Sequence, residues 1–423
     1  MKLLLGLTLW CACAAASILA PPGFQVVTFA SGLAFPTGMT QLFDGSLLVA
    51  ETVNNQNHNG YPNFYWGNGE LVRFTDTNQD GVADGPGTVV ASNLGGAITR
   101  LQALDNGTIM AVTTGNTTAN GLHDQDILFL NSNYTRIGDI HIVSAATEVM
   151  AGAVQTGPGA WKIVFGISSG GDDGTPGGNA TLTGLLNTTA PQGSVVEVPV
   201  TLSGGTVTAG SLQVLATGVR NTSNPIVAPN GDIYIGDNGY DANGAPVNPD
   251  TLDRIPAGAS APWFGLPGNY IAYGTGQVVG GGFTPPFVAF QPENGVDSFG
   301  ISGLAFAPSD FPAQYQGGMF ASFGGNYNYP GTANLTDPLV FISSTGAYTH
   351  FIESGQDGWG TVGDLLAAGG ALYAPVMFTG TDSPWQENTG VIYAILPAPE
   401  PDTWLACAVF GCLLPIARRR RGH

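Results

Sequence analysis

Short apolar runs recur along this chain, each introduced by a turn that carries glycine. Six stand out: "FDGSLLVAET" (43–52), "DNGTIMAVTTG" (105–115), "GPGAWKIVFGIS" (157–168), "PNGDIYIGDNG" (229–239), "YQGGMFASFGGN" (315–326) and "AGGALYAPVMF" (368–378). Their shared glycines are Gly45, Gly107, Gly159, Gly231, Gly318 and Gly370, at spacings of 52 to 87 residues. Runs of this length after a turn residue predict hairpin strands. A repeat of this period predicts a four-stranded blade, a unit that must stack on its neighbours to bury its faces. Apolar segments upstream, "PTGMTQLF" (36–43) and "GISGLAFAP" (300–308), predict the strands that line the centre. No long segment of helical period interrupts the pattern. The expectation is an all-β fold, a six-bladed β-propeller over residues 22–396. The alternative is an array of two β-sandwich domains.

Both ends break the pattern. Residues 1–20, "MKLLLGLTLWCACAAASILA", carry one lysine, an apolar run and then small residues, which reads as a secretory signal peptide cut near Ala14-Ala15-Ala16. Cys11 as a lipoprotein site would want leucine where Thr8 stands. Residues 397–423 carry Pro399-Glu400-Pro401, the apolar stretch 403–417 and the cluster Arg418–Arg421. Fifteen apolar residues are short for a stable span, and the arginines would keep that end cytoplasmic. The segment resembles the PEP-CTERM sorting signal of Gram-negative bacteria. That resemblance implies an exosortase as processing partner, a transient inner-membrane anchor, and a final place at the cell surface or in the extracellular matrix. An ordinary tail anchor is the other reading.

Composition and charge sharpen the picture. Charged residues make up only 10% and glycines number 63 in 423 residues, while apolar residues reach 43%, too many for a disordered chain. Cys11 and Cys13 lie in the leader, Cys407 and Cys412 in the tail, so the body has no disulfide and no thiol chemistry. Of 11 basic residues, six remain in the body: Arg73, Arg100, Arg136, Lys162, Arg220 and Arg254. They face nearly all of the 30 acidic residues. Such a body does not attract nucleic acid or anionic lipid. Contact with membrane is expected only through the C-terminal segment before processing.

The stretch "TGVRNTSNPIVAPNGDIYIGDNG" (217–239), followed by "DTLDRIPAG" (250–258), resembles the soluble quinoprotein glucose and sorbosone dehydrogenases. Residues 23–52 resemble that family's first blade and residues 300–325 its fifth. The resemblance implies a six-bladed propeller that binds pyrroloquinoline quinone (PQQ) and calcium and oxidises aldoses or related aldehydes. It gives Arg220 and Asn221 to the quinone, whose charge grows as hydride arrives and needs fixed donors. Arg220 is thereby the candidate catalytic cation. The backbone carbonyls of Gly239 and Tyr240 fall where the family holds calcium under the cofactor. A loop arginine bonded to carbonyls at the channel mouth is the structural alternative for Arg220.

The chain departs from the family at three places. Met150 falls where the family has its histidine base, and methionine takes no proton. PQQ is a tricarboxylate clamped by several cations in the family, and this body has six in all, scattered among the blades. Asp253 replaces an asparagine and is expected to add negative charge near the mouth. His58, His123 and His141 lie elsewhere in the repeat.

A second motif is "DTNQDGVAD" (76–84), with Asp76, Asn78, Asp80 and Asp84 in a D-x-N-x-D-G-x-x-D pattern. Alternating oxygen side chains around a glycine turn, with the Val82 carbonyl, can wrap a calcium ion. The same residues also favour an Asx-turn hairpin, here expected between blades 1 and 2. The loop 54–69, rich in asparagine with Tyr61, Phe64, Tyr65 and Trp66, offers rings for a sugar face or for packing on its own blade. The stretch 170–192 reads as an insertion loop. Two functions stay open: an exported PQQ-type sugar oxidoreductase, and a catalytically degenerate propeller that binds a glycan or a partner.

Overall fold

The computed structural model describes residues 21–53, 57–58, 61–62, 67–115, 121–145, 149–292, 298–325, 338–352, 361–377 and 388–398. The leader 1–20 and the tail from 399 onward lie outside these residues, as do the side chains of the loop 54–66.

Six principal sheets follow one another along the chain. The first runs Met39–Gln41, Leu47–Val53, Asn68–Phe74, Thr88–Ala91, each strand antiparallel to the next. The second starts at Ile98–Ala103, the third at Ala151–Gly157, the fourth at Asn221–Thr222 and Ile226–Val227, the fifth at Ile301–Phe306. The sixth is Leu366–Ala368, Ala371–Val376 and Gly390–Pro397, completed at its outer edge by Phe24–Leu33 from the other end of the chain. That pairing runs from Phe24 opposite Pro397 to Leu33 opposite Gly390 and closes the circle.

Six apolar clusters fill the spaces between consecutive sheets. Val49 and Leu71 sit on the first sheet; Leu71 packs with Ile98 and Ala111 of the second. Phe129 of the second meets Phe165 of the third, and Val195 of the third meets Ile235 of the fourth. Leu252 meets Phe323, Phe320 meets Leu372, and Tyr373 meets Phe74, which returns to the first sheet. The two faces of each sheet are thus both buried, which is why the strands read as nearly continuous apolar runs. This is a β-propeller, and its ring of six sheets is compatible with the six blades expected.

All six aligned glycines lie between the first and second strands of their sheets. In the fifth sheet the left-handed residue is Gly317 (φ 74°), not Gly318. Gly318 is needed for a different reason: a Cβ there would lie 2.5 Å from the Phe341 ring. The stretch 170–192 is more than a loop. It contains Asn179–Gly184 and Thr188–Pro191, a hairpin that leaves the third sheet and adds two strands to the edge of the second. Its threonines have the β-branched shape that a pleated edge accepts. The segment 76–84 also differs from expectation. It joins Asn68–Phe74 to Thr88–Ala91 inside the first sheet, not between blades 1 and 2.

Candidate functional site

Side-chain hydrogen bonds join the innermost strands of neighbouring sheets to one another. Ala103 N–H donates to Thr40 Oγ1 (2.9 Å), and Gln102 and Ala153 exchange two hydrogen bonds. Asn224 Nδ2 donates to the Ser302 carbonyl (3.3 Å) and to Asp364 Oδ1 (3.0 Å). Ser302 Oγ donates to the Gly363 carbonyl, and Asp364 N–H to the Thr37 carbonyl. Arg100 crosses to form an ion pair with the fully buried Asp364. Burial drives the Asp364 carboxyl up to about 6, against the pull of Arg100. This crossing links the second, fourth, fifth and sixth sheets three residues along the chain from Asn221; the loops around Arg220 are here called the cup.

At that cup, Asp237 holds the backbone of the Arg220 loop. It accepts from the N–H of Arg220 (3.0 Å) and of Asn221 (2.8 Å), and Ser169 N–H donates to the Arg220 carbonyl (2.7 Å). The guanidinium is then held from three sides. Its Nε donates to the Asp172 carbonyl (2.6 Å), its Nη1 to the Gly239 carbonyl (2.7 Å), and its Nη2 pairs with the Asp172 carboxylate. Asn221 Oδ1 accepts from Ser168 Oγ (3.0 Å). The Gly239 N–H donates to Asp250 and the Tyr240 N–H to Asn248, while the Tyr240 carbonyl accepts from Val247 N–H (2.9 Å). The structure therefore brings Arg220, Asn221, Gly239 and Tyr240 together, and both carbonyls already have donors.

Met150 comes to the same end. Its carbonyl accepts from Gly166 N–H (3.3 Å), and Gly166 lies so close to Thr222 that a Cβ would meet its hydroxyl at 1.6 Å. His123 and His141 sit on the third and fourth strands of the second sheet, and His350 on the outer strand of the fifth. Among the described residues no histidine touches Arg220. His141 instead bridges Asp126 and Asp124.

Below the loop lies a group of buried carboxyls that the sequence did not announce. Burial first, and Asp250 last, push Asp237 up to about 7 despite its two N–H donors and the Arg220 charge. Burial raises Asp250 to about 6, although it accepts from Gly239 and Ile301. Asp253 is 2% exposed, and burial followed by the charge of Asp237 pushes it well above the carboxylate range. The expectation that Asp253 adds negative charge near the mouth is therefore corrected. It is enclosed, and burial and the Asp237 charge favour its neutral form, the state in which it resembles the asparagine.

In the loop 76–84 the oxygens are engaged with the loop's own backbone. Asp76 accepts from the N–H of Asp80 and Gly81, Asp80 from Val82, and Asp84 from Thr77, while Asn78 Nδ2 donates to Asp80. Val82 is exposed. Among the described residues no three His, Cys, Asp or Glu side chains converge as a metal centre.

No protein-family model matches the chain, and no curated protein matches it. Solved structures do. The PQQ-bound aldose sugar dehydrogenase of Streptomyces coelicolor aligns over 89% of this chain and 100% of its own, at 16% identity and a TM-score of 0.52. The holo PQQ domain of pyranose dehydrogenase from Coprinopsis cinerea aligns over 89% and 96%, at 14% identity and a TM-score of 0.50. The calcium structure of a Trichoderma reesei family AA12 carbohydrate-active enzyme aligns over 90% and 98%, at 14% identity and a TM-score of 0.51. The fold is that of the PQQ-dependent sugar-dehydrogenase propellers. At these identities the likeness is one of fold.

The sugar-dehydrogenase fold here carries residues that do not fit the quinone. Every body cation already has a carboxylate: Arg73 with Asp44, Arg100 with Asp364, Arg136 with Asp139, Lys162 with Glu197, Arg220 with Asp172 and Arg254 with Asp232. None is left to offset a triply charged ligand, whose burial without partners is costly. The Gly239 carbonyl, which the resemblance assigns to calcium, is occupied by a guanidinium. Two cations on one carbonyl would repel at short range.

Proposed function

We propose that this chain is an exported propeller that presents its Arg220 end as a binding surface and performs no quinone chemistry there. The observation that carries this reading is the closed set of contacts Gly239–Arg220–Asp172, in which the protein's own cation and carboxylate fill the places that the resemblance gives to calcium and cofactor. A neutral glycan suits the surface best. Asp172 and Asp173 keep anions away, and Tyr240 and Tyr270 stand edge to face at 6.0 Å beside the cup, half-buried with rings that can pack on a sugar. Binding of neutral oligosaccharides by the purified body, lost in Tyr270→Ala, supports this. Reduction of an electron-accepting dye by an aldose, dependent on PQQ, would contradict it.

The second reading, sugar oxidation with PQQ and calcium, is favoured by the fold shared with PQQ-bound dehydrogenases. It requires Asp172 to leave Arg220 and a base other than Met150.

Calcium at 76–84 is a separate proposal that rests on the residue pattern. An ion there would replace the Asn78–Asp80 bond and take the remaining carboxylate lone pairs. Export through the leader, exosortase cleavage near Pro399–Pro401 and residence at the cell surface complete the proposal. They rest on the order of motifs in the sequence.

A further inference from the structure

A cleft of about 440 Å³ opens at the seam where the sixth sheet meets the first. Its lining is mixed, with Phe29, Ser31 and Leu33 on one side and Val72 and Phe74 on the other, and the segment 85–87 borders it. Glu51 and Glu70 also line it. They are direct cross-strand partners in the antiparallel pair Leu47–Val53 and Asn68–Phe74. Side chains so placed have Cβ atoms about 4.5–5.5 Å apart, and like charges there oppose folding.

Among the described residues no cation relieves that opposition. Glu51 is only 7% exposed, and its Oε2 accepts from Ala34 N–H at 2.7 Å. Among the described residues its Oε1 and both oxygens of Glu70 have no hydrogen-bond or ion-pair partner. Arg73, on the same strand as Glu70, is committed to Asp44 and Ser46. Burial and the neighbouring Glu70 charge push Glu51 up to about 7, so in the empty cleft a proton offsets part of the repulsion.

We propose that this cleft binds an organic ammonium ion on an aliphatic stem, with the charged head between Glu51 and Glu70 and the stem against Phe29, Leu33, Val72 and Phe74. An ammonium donates three hydrogen bonds to carboxylate oxygens such as these, and its stem suits the apolar part of the lining. A hydrated divalent ion suits it less, because the lining brings only two carboxylates and one hydroxyl, Ser31, fewer side-chain oxygens than such an ion gathers. The ammonium comes either from a free alkylamine or polyamine or from a lysine side chain of a partner. This site is independent of the Arg220 cup.

The test is calorimetric titration of the purified body with n-butylammonium, putrescine, Nα-acetyl-lysine amide, n-butanol and calcium chloride. Saturable binding of butylammonium is expected, with none for butanol, and at least about tenfold weaker in Glu70→Gln and Glu51→Gln. Asp139→Asn, on the second sheet and paired with Arg136, should leave it unchanged. The two glutamates are the titratable groups lining the cleft, and affinity should rise between pH 6 and 8 as Glu51 releases its proton. Putrescine binding well above butylammonium identifies a free polyamine as the source, and equal binding of the lysine amide identifies a partner's side chain. Glu70→Lys, which supplies its own ammonium, should raise the melting temperature and abolish binding. Absence of saturable amine binding at millimolar concentration, or a calcium response lost in the same two variants without an amine response, overturns the proposal.

Discussion

Arg220 was legible as a special residue because the body has few cations and this one stands in a polar loop before a strand. Its partners were not legible. Asp172 lies 48 positions away in a segment with no periodic signal, and only the fold brings it across. Asp237, which could be expected to pair with the guanidinium, caps the backbone N–H groups instead. Arg220→Ala should lower stability by roughly 1–3 kcal/mol, since its side chain is 20% exposed and holds three carbonyls. Asp172→Ala should cost less, about 0–1 kcal/mol, because that carboxylate is 73% exposed. Urea denaturation of both variants checks the order, and a larger loss for Asp172→Ala would refute the arrangement. Asp253 makes a second residue-scale case. Its folded carboxyl is raised, so the stability it contributes is present at low pH and is lost as pH rises. Asp253→Asn should be close to wild type near pH 5 and more stable at pH 8, and a gap that does not widen with pH would count against the buried proton.

Among the elements, the hairpin repeat carried the most information. A glycine turn followed by an apolar run marks the first two strands of each sheet, because a left-handed turn residue and a doubly buried strand both leave compositional traces. Outer strands are more mixed in polarity, and the hairpin 179–191 was missed because it pairs with a sheet other than the one it interrupts. The loop 76–84 was read as polar and turn-rich, correctly, but its place depends on the ring closing. Its Gly81 (φ 81°) sits where a Cβ would meet Leu396 at 2.7 Å, and Ala83 N–H donates to the Phe29 carbonyl, so the loop clasps the closing strands. If it takes calcium, the wild-type melting temperature should rise with the ion by mass action, and Asp80→Ala should remove that rise, with only the smaller loss in chelator that its bonds to Val82 and Asn78 account for. Equal melting curves with and without calcium would dismiss the ion and leave the Asx turns as the whole account.

For the whole molecule, the circle is closed by one strand, Phe24–Leu33, whose residues belong to the apolar contacts of both the fifth–sixth and sixth–first interfaces. The sequence showed the repeat but not which end completes the last sheet, since that pairing spans nearly the full chain. Buried carboxyls set the pH response of the whole. Burial pushes Asp250 and Asp364 up to about 6, and Asp237 and Glu51 up to about 7, all above their unfolded values of about 4. Each contributes stability that is lost as pH rises through its folded value, whereas Asp44 and Asp232, held low by their hydrogen bonds, lose theirs in acid. Thermal stability should therefore peak near the unfolded values and fall between about pH 4 and 7; a rise over that interval would contradict the buried assignments. The ends are tested separately: mass spectrometry of the exported protein should recover no peptide from 1–16 or 403–423, and an intact tail in the envelope would count against exosortase processing. The most direct test of the central claim, that the protein fills its own cup, is a titration of the purified wild-type body with PQQ in calcium, followed by absorbance and by calorimetry. The account predicts no saturable spectral change and no heat of binding, with Arg220 and Asp172 still paired; stoichiometric PQQ binding that Arg220→Ala abolishes would contradict it.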